Sequence, residues 1–150
     1  MPKTYRVMVE TNGMPMIGVE RNMLGARRID IQADENGDVQ PGMGGISVNL
    51  CLCGVPPLIL PRHLGLSGVV RGAKGEDDGR EGWRMGQGAF IHSAVARGLE
   101  LRPDGRHGYI GPDAVAPLAT YQNALAATQS QWFRVTQKNN DCPRCSKITP

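Results

Sequence analysis

Aromatic residues are scarce in this chain, and long apolar runs are missing. Its 150 residues include 2 Phe, 3 Tyr and 2 Trp. No apolar run reaches the ~18 residues of a membrane span, and Met1-Pro2-Lys3-Thr4-Tyr5-Arg6 has no apolar core of a signal peptide. We therefore predict a cytoplasmic protein with no membrane partner. Export into neighbouring cells without a cleaved signal peptide stays open.

Several catalytic motifs are also missing from the sequence. It has no Gly-x-Ser-x-Gly elbow, which argues against a serine hydrolase, and no Gly-x-x-x-x-Gly-Lys phosphate loop. The three histidines, His63, His92 and His107, stand far apart and lack the spacing of a histidine metal site. A bound nucleotide would therefore need a different kind of site.

Glycine and proline, by contrast, are abundant. The 20 Gly and 11 Pro make up about a fifth of the chain, which is typical of a loop-rich globular domain. The net charge of +3 suits an anionic ligand but is well short of a dedicated nucleic-acid binder, so a nucleic-acid partner is possible but not favoured. We predict one domain over residues 1–136 and a polar C-terminal tail over 137–150.

The hydrophobic pattern predicts short strands and one helix. A helix is expected from Pro117 to about Ser130, because proline favours the first helical turn and an apolar stripe follows it. The glycine-rich, charged segment 65–82 is predicted to be a mobile surface loop. The predicted strands are 4–10, 27–32, 47–53, 83–91 (interrupted at 86–88), 99–102 and 107–110. This pattern predicts the α+β class.

The four cysteines form two pairs, Cys51-Leu52-Cys53 and Cys142-Pro143-Arg144-Cys145. Such pairs are compatible with a four-thiolate zinc site, with a disulfide or with free thiols. Since Cys51 and Cys53 lie in an apolar run where buried thiols are common, we favour free thiols. We assign no metal ligand at this stage.

The most suggestive segment joins a pair of arginines to a Gly-Gly step and a serine. Arg27-Arg28 lies upstream of Gly44-Gly45-Ile46-Ser47. Glycines allow close approach of the backbone to a ligand, and a guanidinium binds phosphate through two hydrogen bonds. These are features that a dinucleotide-binding enzyme needs.

Three ordered segments give the chain a resemblance to a known family. They are Tyr5-Arg6-Val7, the stretch 27–48, and the stretch from Leu99 through His107-Gly108-Tyr109-Ile110-Gly111-Pro112 to Tyr121. In this order the chain resembles bacterial cytoplasmic toxins typified by the second type VI secretion exported effector, whose fold is similar to ADP-ribosyltransferases. The resemblance implies a split, twisted β-sandwich of short antiparallel strands with few helices.

The resemblance also implies an NAD-dependent ADP-ribosyltransferase, with NAD held in a cleft. Its catalytic residues would be Arg27, Ser47 and His107, and its cofactor-binding residues Arg6, Gly44-Gly45 and Ser47. Arg6 or Arg27 would bond the nicotinamide ribose or the phosphates, Ser47 would hold the nicotinamide half, and His107 would orient a ribose hydroxyl or the acceptor.

Two positions depart from the family pattern. The family's Gly-Gly-Thr-Ser reads Gly-Gly-Ile-Ser here, so Ile46 replaces a hydroxyl and Ser47 carries that role alone. By its position along the chain, Glu100 is the nearest candidate for the glutamate of the family's third motif. The alternation of side chains along its strand is equally compatible with a solvent-facing residue.

The resemblance implies a toxin that acts in the cytoplasm of target bacteria on an unidentified cellular target. A cognate immunity protein would protect the producing cell. Two alternatives stay open. One is an NAD-independent ribonuclease-type toxin that uses His63 or His107 as acid or base. The other is a non-catalytic domain that binds a partner through its 65–82 loop.

Overall fold

The structure, a computed structural model, describes residues 1–146. The strands are β1 (Thr4–Thr11), β2 (Met14–Pro15), β3 (Asp38–Val39), β4 (Ile46–Asn49), β5 (Arg80–Met85), β6 (Ser93–Ala96), β7 (Leu99–Asp104), β8 (His107–Pro112), β9 (Ala116–Pro117) and β10 (Phe133–Arg134). The α-helices are α1 (Arg62–Leu66), α2 (Leu118–Ala126) and α3 (Pro143–Ser146). None of the helices in this described part is long and apolar enough to cross a membrane.

One curled antiparallel sheet dominates the fold. Its strand order is β10-β5-β1-β4-β8-β7-β6, and β2 extends it as an eighth strand beside β1. β3 and β9 form a separate two-stranded sheet. With three short helices against these sheets, the predicted α+β class with few helices is confirmed.

The two faces of the large sheet bury two different cores, because side chains alternate along each strand. In β4, Ile46 and Val48 point to one face, and Ser47 points to the other. The main core consists of Met8, Leu24, Ala26, Ile31, Val39, Ile46, Val48, Trp83, Met85, Val95, Leu99, Leu101, Ile110, Tyr121, Leu125 and Trp132. The second core consists of Tyr5, Val7, Cys51, Leu52, Val55, Leu60, Leu64, Val69, Val70, Val135 and Cys145.

Helix α2 covers the main core through the apolar stripe that the sequence predicted. Tyr121 and Leu125 are buried, and Leu118 is partly buried against them. The Tyr121 hydroxyl donates to the Ile110 carbonyl at 2.6 Å and accepts from the Ile46 amide at 3.3 Å. The helix is thereby fastened to the middle of the sheet, between β4 and β8. Burial raises the pKa of Tyr121, so the hydroxyl stays protonated and able to donate.

The predicted strands 4–10, 99–102 and 107–110 match β1, β7 and β8, and the turn at Asp104-Gly105 joins the last two. The prediction of an extended segment at 27–32 was wrong, because the Asp30 amide closes a turn onto the Arg27 carbonyl at 3.0 Å. The predicted strand 47–53 ends early, at Asn49, and a 3-10 turn follows at Leu52–Gly54.

Segment 65–82, predicted to be mobile, is tied to the rest of the chain by several contacts. Val69 and Val70 are buried in the second core. Arg80 donates to the Ile59 carbonyl, outside the segment, at 2.9 Å. The segment is therefore anchored at both ends of its length.

His63 bridges two carboxylates of this region and predicts a pH-dependent stability. Its ring nitrogens lie 2.6 Å from Asp77 and 2.8 Å from Glu81. Burial opposes the charge, but these hydrogen bonds outweigh it and raise the pKa of His63. A raised pKa in the folded state adds stability below the ordinary value near 6.5, and this stability is lost as pH rises through the folded pKa.

We expect His63→Gln to lower the unfolding free energy by up to about 1 kcal/mol at pH 5.5 and by less at pH 8.5. Urea denaturation at the two pH values measures this difference. His92→Gln, which removes a more exposed histidine with one carboxylate contact, is the control. An equal loss at both pH values in the His63 variant would contradict the assignment.

Candidate functional site

The arginine pair of the sequence lies at the edge of a cleft of about 1020 Å³. The Arg27 amide donates to the Asp30 carboxylate at 2.7 Å, which shapes the turn. The Gln122 side chain of α2 clamps the neighbouring Ala26 backbone, accepting from its amide at 2.8 Å and donating to its carbonyl at 2.7 Å. The arginine-bearing segment is therefore fixed to α2, whose Leu118 and Gln122 also line the cleft.

The lining of this cleft combines positive charge with exposed apolar side chains. Arg28 is exposed and has no hydrogen-bond or ion-pair partner within residues 1–146. Arg27 is paired with Asp30 at a loose 3.4 Å. Ile29 and Val19 are 78% and 58% exposed, which is unusual for residues of their type. A cleft of this size with such walls suits an anionic ligand that also carries an apolar ring.

The Gly44-Gly45 step packs against the protein's own backbone. A Cβ at Gly44 would overlap the Asp30 carbonyl oxygen, and one at Gly45 would overlap that of Ile110. The Gly45 amide also donates to the Asp30 carbonyl at 3.0 Å. In this structure, the glycines are needed for the approach of β4 to the turn after Arg27.

Arg6 lies on β1 with its guanidinium on the main-core side of the sheet. It donates to the Ser47 carbonyl at 2.7 Å and to the Met23 carbonyl at 3.0 Å. Burial lowers the pKa of Arg6 to about 10, and the nearby Asp30 carboxylate partly offsets this effect, so the guanidinium remains charged at neutral pH. Both of its terminal nitrogens thus donate to main-chain carbonyls, while its buried Nε has no hydrogen-bond partner among the described residues.

Ser47 and His107 meet on the face of the sheet opposite to Arg6. The Ser47 hydroxyl lies 2.5 Å from Nε2 of His107, and the His107 ring stands edge-on to Tyr109, with centroids 4.9 Å apart. A serine hydroxyl on an imidazole is the contact of a nucleophile with its base. No carboxylate within residues 1–146 bonds the other ring nitrogen, so the third member of a hydrolytic triad is missing from this part of the chain.

The structure therefore brings some of the predicted site residues together and separates others. The Ser47 and His107 side chains are in direct contact, while the Arg6 guanidinium contacts Ser47 at its main-chain carbonyl and not at its hydroxyl. Arg27 lines the cleft beside α2, on the main-core side, whereas the Ser47 side chain points to the other side. Glu100, the candidate third-motif glutamate, bonds Arg102 at 2.6 Å and His92 at 3.1 Å.

A further cluster in the structure consists of the four cysteines, which the sequence analysis did not assign to a site. The four cysteines lie together, with all of their sulfur atoms within 4.8 Å of one another. The sequence signal for this cluster was the occurrence of two closely spaced cysteine pairs. The apolar residues around Cys51 and Cys53 instead favoured the interpretation as buried free thiols. The described part of the C-terminal tail packs against the rest of the chain. Cys145 is fully buried, and Asn140 donates to the Val69 carbonyl at 2.9 Å.

The thiols of this cluster also influence one another's protonation. A hydrogen bond from the Cys51 thiol lowers the pKa of Cys145 to about 5. The same contact, together with burial, raises the pKa of Cys51. The two thiols of this contact therefore do not titrate independently of each other.

Comparisons with protein-family models, with curated proteins and with solved structures found no match to this chain. The arginine cleft, the Ser47–His107 pair and the cysteine cluster are therefore the observations on which functional proposals rest.

Proposed function

We propose that this chain is a bacterial toxin that transfers ADP-ribose from NAD, in the cytoplasm of target bacteria. A cognate immunity protein would hold it in check in the producing cell. The cleft lined by Arg27 and Arg28 is the observation that carries this proposal. The curled antiparallel sheet with few helices and the three ordered sequence segments are compatible with an ADP-ribosyltransferase-like fold.

The cleft fits NAD in size, charge and lining. Its volume of about 1020 Å³ is at the upper end of ordinary ligand sites, as a dinucleotide requires. The unpartnered guanidinium of Arg28 and the loosely paired one of Arg27 suit the two phosphate charges. The exposed Ile29 and Val19 side chains suit the face of an aromatic ring. The Asp30 side chain is only 10% exposed, and its carboxylate contacts the Arg27 amide and guanidinium.

In this proposal each residue has a defined task. When bound, NAD supplies an activated ribose carbon with nicotinamide as its leaving group. Arg28 and Arg27 neutralise the pyrophosphate, and the Gln122 clamp on Ala26 holds their segment against α2. Fixed positive charge in a partly enclosed cleft stabilises anionic groups better than mobile charge in water. Ser47 and His107 stay predicted catalytic residues and are tested separately, because they lie on the other face of the sheet.

The test is NAD binding and nicotinamide release by the purified chain. We expect Arg28→Glu to weaken NAD binding by roughly tenfold or more, because it places a negative charge where the phosphates bind. Arg97→Glu makes the same charge change at an exposed arginine outside the cleft and should leave binding intact. NAD binding that is equally strong in wild type and Arg28→Glu would overturn the site.

A second arm asks whether the activity is that of a toxin. Expression in bacterial cytoplasm should arrest growth, and Arg28→Glu should relieve the arrest while the protein stays folded. Ser47→Ala and His107→Ala should relieve it if the predicted catalytic pair takes part. Degraded RNA without nicotinamide release would overturn the transferase proposal in favour of the ribonuclease alternative.

A further inference from the structure

The cysteine cluster joins two segments that are far apart in the chain. Cys51 and Cys53 flank the start of the 3-10 turn after β4, while Cys142 precedes α3 and Cys145 lies within it. The chain separations are 94 residues for Cys51 with Cys145 and 89 for Cys53 with Cys142. If the cysteines were only buried free thiols, there would be no reason for all four to pack next to one another.

The sulfur positions approach those of a tetrahedral metal site. Sulfurs bound to zinc at about 2.3 Å lie about 3.8 Å apart at the corners of a tetrahedron. The Cys53–Cys142 distance is 3.8 Å, and no distance within the group exceeds 4.8 Å. The Cys51–Cys145 distance of 2.8 Å is shorter than this and longer than the ~2.05 Å of a disulfide bond. An increase of about 1 Å would bring the Cys51–Cys145 distance to the tetrahedral value.

The surroundings of the sulfurs also suit a charged thiolate site. Cys51 and Cys145 are 2% and 0% exposed, so water reaches the cluster mainly through its other two members. Arg106 donates to the Cys53 sulfur at 3.3 Å. Four thiolates around one divalent cation carry a net charge of about −2, and a guanidinium donor beside them offsets part of it.

We propose that Cys51, Cys53, Cys142 and Cys145 form a closed, structural Zn²⁺ site that fastens the C-terminal segment to the second core. Four protein ligands leave no open position for substrate, so the metal acts on stability. The second core contains Cys51 and Cys145 among mostly small aliphatic side chains. On metal binding, the thiols lose their S–H protons to solvent, four Zn–S bonds form in place of the thiol–thiol contacts, and α3 is held in place. This proposal does not depend on the proposed function.

The test uses the full chain, purified under reducing conditions. Elemental analysis should find close to one zinc per chain, and metal-free protein should take up one equivalent of added Zn²⁺. Chelation should lower the Tm by roughly 10 °C or more. Added Co²⁺ should give the visible absorption bands of a tetrahedral four-thiolate site. This readout uses wild-type protein and does not require the variants to fold.

Variants then assign the ligands. Cys142→Ser should reduce the zinc content to less than about a tenth of the wild-type value at neutral pH. Asp141→Asn is the matched control. It removes the ion pair of 2.5 Å between Lys3 and Asp141, next to Cys142, without altering a sulfur ligand. It should retain full zinc content. A reduced wild-type chain that binds neither Zn²⁺ nor Co²⁺, a chain with two disulfides, or one loaded with iron would each overturn the proposal.

Discussion

Gly45→Ala is expected to lower the free energy of unfolding by roughly 3 kcal/mol or more, whether or not a ligand is present. A Cβ at this position would overlap the Ile110 carbonyl oxygen of the neighbouring strand β8. The φ angle of +154° adds strain for any residue with a side chain. Because β4 and β8 pair directly here, relief of the overlap would have to separate two central strands. Urea denaturation measures the loss.

The matched control for this change is Gly37→Ala. Gly37 also has a positive φ, of +80°, but a Cβ there would meet no atom within 4 Å. The control therefore reports the strain of a side chain at positive φ without an overlap, of roughly 1–2 kcal/mol. Equal losses in the two variants would contradict a steric role for Gly45. Normal stability with lost NAD binding would instead return the Gly-Gly step to the ligand-binding role predicted from the sequence.

Arg6→Met is expected to lower the free energy of unfolding by about 3 kcal/mol. The substitution keeps an apolar stem but leaves the carbonyls of Ser47 and Met23 without their charged donor. Hydrogen bonds from charged groups contribute about 1.5–3 kcal/mol each, and an unpaired enclosed acceptor is costly. The Asp30 carboxylate nearby also loses a favourable charge. Thermal and urea unfolding measure the effect.

Arg134→Met is the matched control for this second change. Arg134 is an exposed strand arginine whose side chain has no partner within residues 1–146, so its loss should cost less than about 0.5 kcal/mol. A stable Arg6→Met protein that no longer binds NAD would support the ligand contact that the family resemblance implies. A destabilised one supports the structural role seen in the hydrogen bonds.

Gly44-Gly45 and Arg6 have structural partners that their sequence pattern does not identify. A Gly-Gly step and a strand arginine have the same sequence signature whether they approach a ligand or another strand. The pattern indicates that the glycine backbone lies close to other atoms and that the arginine guanidinium has a partner. It does not indicate that the partners are the carbonyls of Ile110 and Ser47. Those contacts depend on which strands become neighbours.

The sequence by itself determined the local elements. Alternation of apolar residues predicts β1, the Asp104-Gly105 turn predicts the β7–β8 hairpin, and the apolar stripe after Pro117 predicts α2. These signals are readable because each depends on residues within a few positions of one another. The same reasoning mistook 27–32 for a strand, since its turn depends on the Asp30 side chain folding back on Arg27.

Only the tertiary structure decided the arrangement of functional groups. It placed Ser47 and His107 in contact on one face, left Arg27 and Arg28 at a cleft beside α2, and gathered the four cysteines. Side-chain alternation makes the face of a strand residue readable, but the partner on that face depends on strand order. Strand order and the return of the tail follow from the burial of the two cores, and these contacts between distant residues leave no periodicity in the sequence.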